Sequence, residues 1–142
     1  MRQAGFRQLN LSLVTHNADL QQQYHRPTHR QPFTELIAAA QRHQFFITVY
    51  VIIGLPDQTV AEAKATIDYL LSLGVLVGPS IFYIPPGSRL YERLVLPEKI
   101  RSDWNFYRSS VFAVETPHMT RDDLVDLFVY VRQQNLARRG TA

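Results

Sequence analysis

The side chains best suited to bind a small ligand begin on a predicted strand at residues 9–14. Leucines alternate there with Asn10 and Ser12, which is the period-two pattern of a β-strand with one apolar and one partly polar face. Amide and hydroxyl groups on such a face can hydrogen-bond a ligand. The alternative is that Asn10 and Ser12 hydrogen-bond only within an ordinary α/β protein.

A second predicted strand, at residues 45–53, adds polar groups. It is a nearly unbroken β-branched and aromatic run, which is typical of a strand buried on both faces of a parallel sheet. Thr48 and Tyr50 share one of its faces with Ile52. Each of the two strands therefore presents hydrogen-bonding side chains on one side.

The sequence contains no comparable pattern for a nucleophile, an acid–base pair or a metal site. The chain has no cysteine, which excludes a disulfide, a thiolate nucleophile and a cysteine-ligated zinc or iron–sulfur site held by this chain. Among the five histidines, His25 and His29 have helical spacing, but Pro27 lies between them and disfavours the helix that would align their rings. We therefore predict no catalytic residue and no metal ligand in this chain.

Composition limits the protein class. The chain has 142 residues, 46% hydrophobic and 19% charged, which indicates one globular domain or part of a larger one. No apolar segment approaches the ~20 residues of a membrane-spanning helix, and the N-terminus lacks the apolar region of a signal peptide. We expect a cytoplasmic protein. The net charge of +3 is dispersed, so nucleic-acid binding is allowed but not indicated.

Helix signals alternate with the strands. Residues 15–31 are polar and predict a loop with a helical turn near 19–24, and the apolar spacing then predicts a helix at 32–43 with Pro32 first. A capping box precedes a second helix at 60–73. A third strand is predicted at 80–84. The order β-α-β-α-β predicts parallel neighbouring strands with both helices on one face.

The rest of the chain is predicted to be mostly helical. Ser88 can cap a short helix that extends to Leu94, and weaker patterns indicate a short helix at 100–106 and a short strand at 110–114. Thr120 caps a final helix that ends near Ala137. We divide the chain into residues 1–95, the strand-containing part, and 96–142, the C-terminal extension.

Three parallel strands cannot close a barrel, yet a parallel sheet is normally covered on both faces or closed. The predicted fold class is therefore α/β, a fragment of a partial (β/α) barrel of the TIM type, whose inward face would be completed by missing strands, by a partner copy or by cofactor. In such barrels ligands meet the loops after the strands, which here are residues 15–31, 54–58 and 85–88.

Four motifs occur in an order that resembles a known family. They are residues 9–14 (LNLSLV), 24–27 (YHRP), 53–59 (IGLPDQT) and 81–88 (IFYIPPGS). The set resembles the C-terminal half of a radical S-adenosylmethionine (radical SAM) enzyme domain, in the branch that includes methylthiotransferases and cobalamin-associated enzymes. The likeness covers roughly residues 5–95. The sequence departs from the family pattern at Asp57, where glycine is usual, and at Tyr50, where some relatives have glycine.

The resemblance implies a six-stranded partial barrel, of which this chain supplies the fourth to sixth strands. The family's CxxxCxxC cluster motif follows the first strand and is absent here. The full-length parent would bind SAM and a [4Fe–4S] cluster and cleave SAM reductively to a 5′-deoxyadenosyl radical. This chain would be inactive alone, and its partner would be the missing N-terminal half of the barrel.

The resemblance also assigns cofactor-binding roles on the first strand and the following loop. Ser12 corresponds to the polar residue that reaches the SAM ribose, with Asn10 near it. Arg26 corresponds to the arginine that meets the SAM carboxylate, a pairing that suits a guanidinium. The alternative for Arg26, as for Arg30, is a solvated loop arginine.

The resemblance assigns cofactor-binding roles to four more residues, which lie in or after the second and third predicted strands. Ile52 and Gly54 correspond to the motif that lines the adenine, and Pro85 and Gly87 correspond to the turn that closes the site. The alternative is that the glycines and prolines only end their strands.

Two other functions remain open from the sequence. One is a stand-alone α/β binding or interaction module that self-associates through an open sheet edge. The other, less favoured, is a nucleic-acid binder.

Overall fold

The computed structural model describes residues 1–93 and 96–139. The elements in chain order are a 3-10 turn (Arg2–Ala4), β1 (Gln8–Leu13), α1 (Ala18–Gln23), α2 (Arg30–Arg42), β2 (Phe46–Ile53), α3 (Val60–Ser72), β3 (Leu76–Ile81), α4 (Arg89–Arg93), α5 (Glu98–Ser102), a second 3-10 turn (Trp104–Phe106) and α6 (Arg121–Arg139). No helix in these ranges has the length and apolarity to cross a membrane.

The strands form one parallel sheet in the order β1-β2-β3. Ser12 of β1 is paired with Tyr50 of β2, and Tyr50 is paired in turn with Gly78 of β3. The predicted α/β class and β-α-β-α-β order are confirmed.

One face of the sheet is covered by α2, α3 and α6. The core between the sheet and these helices consists of apolar side chains from all six elements and from the segment before α6, including Leu13, Ile37, Val49, Val51, Ile53, Ile67, Leu70, Val77, Ile81, Met119, Leu124 and Val131. The segment from 119 onwards thus belongs to the same core as the strands.

The opposite face of β2 is not buried, contrary to the prediction of a strand buried on both faces. Its residues alternate strictly, with Phe46 72% and Tyr50 45% exposed while Val49 and Val51 are buried. The physical reason is that no described element covers that face. An apolar run in the sequence predicts a strand, but it does not show whether both faces of that strand are covered by other elements of the same chain.

Local sequence signals place the starts of α3, α4 and α6 correctly. The Thr59 hydroxyl accepts from the Glu62 amide at 3.2 Å and the Glu62 carboxylate accepts from the Thr59 amide at 3.0 Å, which completes the predicted capping box. Thr120 and Asp123 form the same reciprocal pair at α6, at 3.2 and 2.8 Å. Ser88 caps α4 through a bond from the Tyr91 amide at 3.2 Å.

Several predicted boundaries are wrong. The third strand is Leu76–Ile81 and not 80–84, because Gly78 and Pro79 are accommodated inside an edge strand instead of ending it. Residues 110–114 are a turn residue followed by irregular chain and not a strand, and the Val111 amide donates to the Arg108 carbonyl.

The helix boundaries differ less. The helix predicted at 32–43 begins two residues earlier, so Pro32 lies in its first turn and not at its first position. The predicted helix 100–106 is two pieces, α5 and the second 3-10 turn, separated by extended Asp103. Leu94, the predicted end of the helix after Ser88, lies outside the described residues.

The outer edge of β3 is occupied. The Asn135 side chain of α6 accepts from the Val77 amide at 3.1 Å and donates to the Val77 carbonyl at 2.7 Å, and Pro79 has no amide hydrogen to offer. No element in the described ranges pairs with the outer edge of β1. A further strand therefore finds free backbone groups along β1 and obstructed ones along β3.

Candidate functional site

The uncovered side of the sheet, called the open face below, carries polar groups from all three strands in register. Asn10 is paired with Thr48, Ser12 with Tyr50, and Ile52 with Ser80. These residues alternate along their strands with the buried core residues, so their side chains share the side away from the helices. The open face is therefore a contiguous surface with hydroxyl, amide and aromatic groups.

The hydrogen-bonding capacity of the open face is only partly used. Gln8 donates to the Asn10 amide oxygen at 2.9 Å and more weakly to the Thr48 hydroxyl at 3.5 Å. The Asn10 amide N–H groups and the Ser12 hydroxyl have no partner in the part of the chain that is described. Both residues are exposed, so they can bond a ligand laid across β1.

Tyr50 occupies the centre of the open face. Its ring atoms Cδ1 and Cε1 lie 2.6 and 2.8 Å from the position that a β-carbon on residue 78 would take, so only glycine leaves room for the ring. The ring therefore covers β3 at Gly78 and shapes the surface beside Ser12. Gly78 is not among the site residues predicted from the sequence, although a glycine inside a strand commonly marks a close approach of this kind.

Ile52 and Gly54 face different surroundings. Ile52 is half-buried on the open face. Gly54 is buried, has φ of +91°, and its absent β-carbon would lie 2.9 Å from Cδ2 of Leu124. Its amide donates to the buried Gln58 side chain at 2.9 Å. Packing against α6 is thus a sufficient reason for glycine at position 54.

Arg26 lies in the loop between α1 and α2, with its side chain exposed. Its backbone amide donates to the Gln21 carbonyl at 2.9 Å, and no carboxylate in the described ranges pairs with its guanidinium. The position of the loop is fixed, but the charge remains free for an anionic group.

The loops after β1 and β2 are joined to each other. Gln23 donates to the Asp57 carboxylate at 2.5 Å, and Asn17 donates to Glu62. Burial, and secondarily the charge of Asp57, raises the pKa of Tyr24. Two of the three predicted ligand-binding loops therefore form one connected rim at the carboxyl end of the sheet.

Pro85 and Gly87 form the turn that follows β3. The Ser88 amide donates to the Pro85 carbonyl at 3.1 Å, and Gly87 has φ of +75° with open space around it. Both residues are exposed. No hydrogen bond in the described ranges connects them to the polar groups of the open face.

No metal centre emerges from the described side chains, because they contain no cluster of three or more histidine and acidic residues with suitable spacing. The cysteine-free sequence adds no thiolate ligand.

Comparison with known proteins gives a match in structure only. No protein-family model and no curated protein sequence matches the chain. A solved structure, coproporphyrinogen III oxidase (HemN) from Escherichia coli, described as a radical SAM enzyme, matches over 94% of this chain with a TM-score of 0.67 and 18% identity. The chain spans 28% of the length of that protein, and the likeness gives no support to the methylthiotransferase branch in particular. Over nearly its whole length this chain has the fold of one portion of a radical SAM enzyme.

Proposed function

We propose that this chain is the C-terminal half of a radical SAM barrel and forms one wall of its SAM pocket. The observation that carries the proposal is the open face, a polar surface on a parallel sheet whose other face packs against helices. The likeness to a radical SAM enzyme over 94% of the chain supports the same conclusion.

The open face fits part of SAM. A ribose presents two hydroxyl groups, and the Ser12 hydroxyl with the Asn10 amide offers matching acceptors and donors two residues apart on the same face of β1. Arg26, unpaired by any described carboxylate, suits the carboxylate of the methionine part. In this proposal Ile52 contacts the adenine and the 85–87 turn borders the site, whereas Gly54 acts through its packing against Leu124.

The residues of this chain bind and orient, and the chemistry is supplied by the cofactors. The cofactors would supply radical chemistry: one electron from a [4Fe–4S] cluster would cleave the C5′–S bond of SAM and give methionine and a 5′-deoxyadenosyl radical. The cluster ligands would come from the other half of the barrel, because this chain has no cysteine.

The two edges of the sheet indicate where that other half docks. Asn135 and Pro79 obstruct β3, and β1 has no partner strand in the described ranges. We infer that the missing strands add along β1 and continue the open face. Membership of the methylthiotransferase or cobalamin-associated branch stays a prediction.

The first test is SAM affinity, measured by equilibrium dialysis of the 142-residue chain. Ser12→Ala removes the open-face hydroxyl, and Ser72→Ala removes an exposed hydroxyl at the far end of α3 as a control. We expect weak binding, about millimolar, that Ser12→Ala weakens by roughly fivefold, since one hydrogen bond is lost. Equal effects of the two variants would contradict the proposed site.

The second test is activity. Under anaerobic conditions with a strong reductant, the chain alone should form no 5′-deoxyadenosine. Robust SAM cleavage without any added domain would refute the proposal. Size-exclusion chromatography with light scattering examines the competing function: a stable dimer lost on introducing proline into β1, with no SAM binding, would favour the self-associating module.

A further inference from the structure

A second concave surface lies on the helix side of the carboxyl-end rim, away from the open face. It is a groove of about 720 Å³ bordered by α1, by the α1–α2 loop and by the start of α2. Its polar lining includes His16, His25, His29 and Arg30. The groove lies on the helix side because His16 in its lining contacts α3, with Nδ1 of His16 2.8 Å from the Thr66 hydroxyl. The volume is in the range of small-molecule sites.

The floor of the groove is held by buried hydrogen bonds. Gln21, 7% exposed, donates to the Thr15 carbonyl at 2.7 Å and accepts from the Thr28 amide at 2.9 Å. These bonds connect the end of β1 with the α1–α2 loop. His16 is fixed by Thr66 and by stacking on Tyr69, with ring centroids 6.1 Å apart. The groove is therefore formed before any ligand binds.

The charged group of the groove lining is a single cation, Arg30. The lining contains one guanidinium and three imidazoles and no carboxylate. Arg30 lies 4.9 Å over the Tyr69 ring and pairs with no described carboxylate, and Glu35, the acid nearest to it on α2, accepts from Gln31. His29 is the N-cap of α2 but makes no side-chain capping bond, so amide groups of the first turn remain free at the positive end of the helix.

His25 has a left-handed backbone conformation at the C-terminal end of α1. It has φ of +52° and follows α1 in a Schellman turn, in which its amide bonds to Gln22 and the Arg26 amide bonds to Gln21. Glycine is usual at that position, and another residue costs about 1 kcal/mol or more. Gln44 has the same conformation after α2, so what distinguishes His25 is that its side chain borders the groove.

We propose that this groove binds a small molecule through a phosphate group, with Arg30, His25 and His29 as its ligands and His16 at the opposite wall. A phosphate offers three oxygens to several converging donors, whereas a carboxylate offers two, and a guanidinium with a helix N-terminus is a favourable pairing for it. The inference is independent of the proposed function, because SAM carries no phosphate.

The test is a titration of the isotopically labelled chain, followed by NMR, with inorganic phosphate, adenosine monophosphate and acetate. We expect amide shifts centred on His25, His29 and Arg30 with both phosphates and weaker ones with acetate. Tighter binding of the nucleotide would assign the ligand as a phosphate ester, and equal or weaker binding would assign it as free phosphate. No shift up to about 10 mM, or equal response to acetate, would overturn the proposal.

Two pairs of variants separate binding from folding. Arg30→Gln should weaken phosphate binding roughly tenfold, and Arg42→Gln, at the other end of α2, should not. His25→Gly should raise stability yet weaken binding. Gln44→Gly, at the equivalent left-handed position after α2 with φ of +58°, should raise stability and leave binding unchanged. Equal losses from a test variant and its control would overturn the proposal.

Discussion

The ring of Tyr50 fills the space that a side chain at Gly78 would need, with Cδ1 only 2.6 Å from the place of the missing β-carbon. The two residues are register partners on adjacent parallel strands. The Tyr50 ring, which lies over Gly78, therefore determines the shape of the open face beside Ser12. A larger residue at either position reshapes the surface on which we propose that SAM lies.

This pairing predicts coupled stabilities. Gly78→Ala should destabilise the chain by about 1–2 kcal/mol, because the new methyl group displaces the Tyr50 ring. In a Tyr50→Ala background the same substitution should have almost no effect, since the clash is absent. Urea unfolding of the four proteins in this double-mutant cycle measures the coupling. An identical effect in both backgrounds would show that the contact carries no energy.

Two glycines with left-handed backbones should respond differently to alanine. Gly54→Ala adds a contact with Leu124 to the backbone strain and should cost about 2–4 kcal/mol. Gly87→Ala meets open space and should cost about 1 kcal/mol from strain alone. Unfolding midpoints give both values, and a larger effect at Gly87 would contradict the packing described for Gly54.

The edge of β3 offers a test of assembly. Asn135→Ala leaves the amide and carbonyl of Val77 without their side-chain partners and should destabilise the chain by about 2 kcal/mol. Self-association should also increase as the edge is uncovered. Gln133→Ala, an exposed position on the same helix, serves as the control. Sedimentation velocity measures self-association, and urea unfolding measures stability. If the two variants had the same values in both measurements, the role of Asn135 would be disproved.

A network between α3 and α6 predicts a loss of stability in acid. Asp68 accepts from Lys64 at 2.6 Å and from the Tyr130 hydroxyl at 2.7 Å. Partial burial opposes ionisation of Asp68, but these two bonds outweigh it and lower its pKa. A lowered pKa stabilises the fold above the carboxyl's ordinary value near 3.9, and this contribution is lost as the pH falls below it.

Asp68→Asn should therefore flatten the stability profile below about pH 4. Stability measured by urea unfolding between neutral and acidic pH tests this, with the exposed Asp122→Asn as the control. An unchanged acid dependence in Asp68→Asn would show that other carboxyl groups dominate.

Much of the fold follows from local patterns. The leucine alternation predicts β1, and the capping box at Thr59 and the N-cap at Thr120 place the starts of α3 and α6. β3 is misplaced because Gly78 and Pro79 resemble a strand end. Gly78 and Pro79 fit inside the strand because the Tyr50 ring packs over Gly78 and because β3 is an edge strand. Both conditions depend on tertiary structure, which the local sequence does not reveal.

The site is predictable to a lesser degree. Period-two alternation assigns Asn10, Ser12 and Tyr50 to one face, and the structure confirms that placement. The packing of Gly54 on Leu124 joins residues far apart in sequence. The groove at His25 depends likewise on a turn geometry that local composition does not reveal.

The measurement that tests the central claim most directly is an NMR map of SAM binding to this chain. We predict that SAM shifts the amides of Asn10, Ser12, Tyr50 and Ile52 on the open face, together with Arg26, and leaves the helix-side residues of α3 and α6 unchanged. Shifts confined to the helix side, or no shift up to about 10 mM SAM, would contradict the account that the open face is one wall of a SAM pocket.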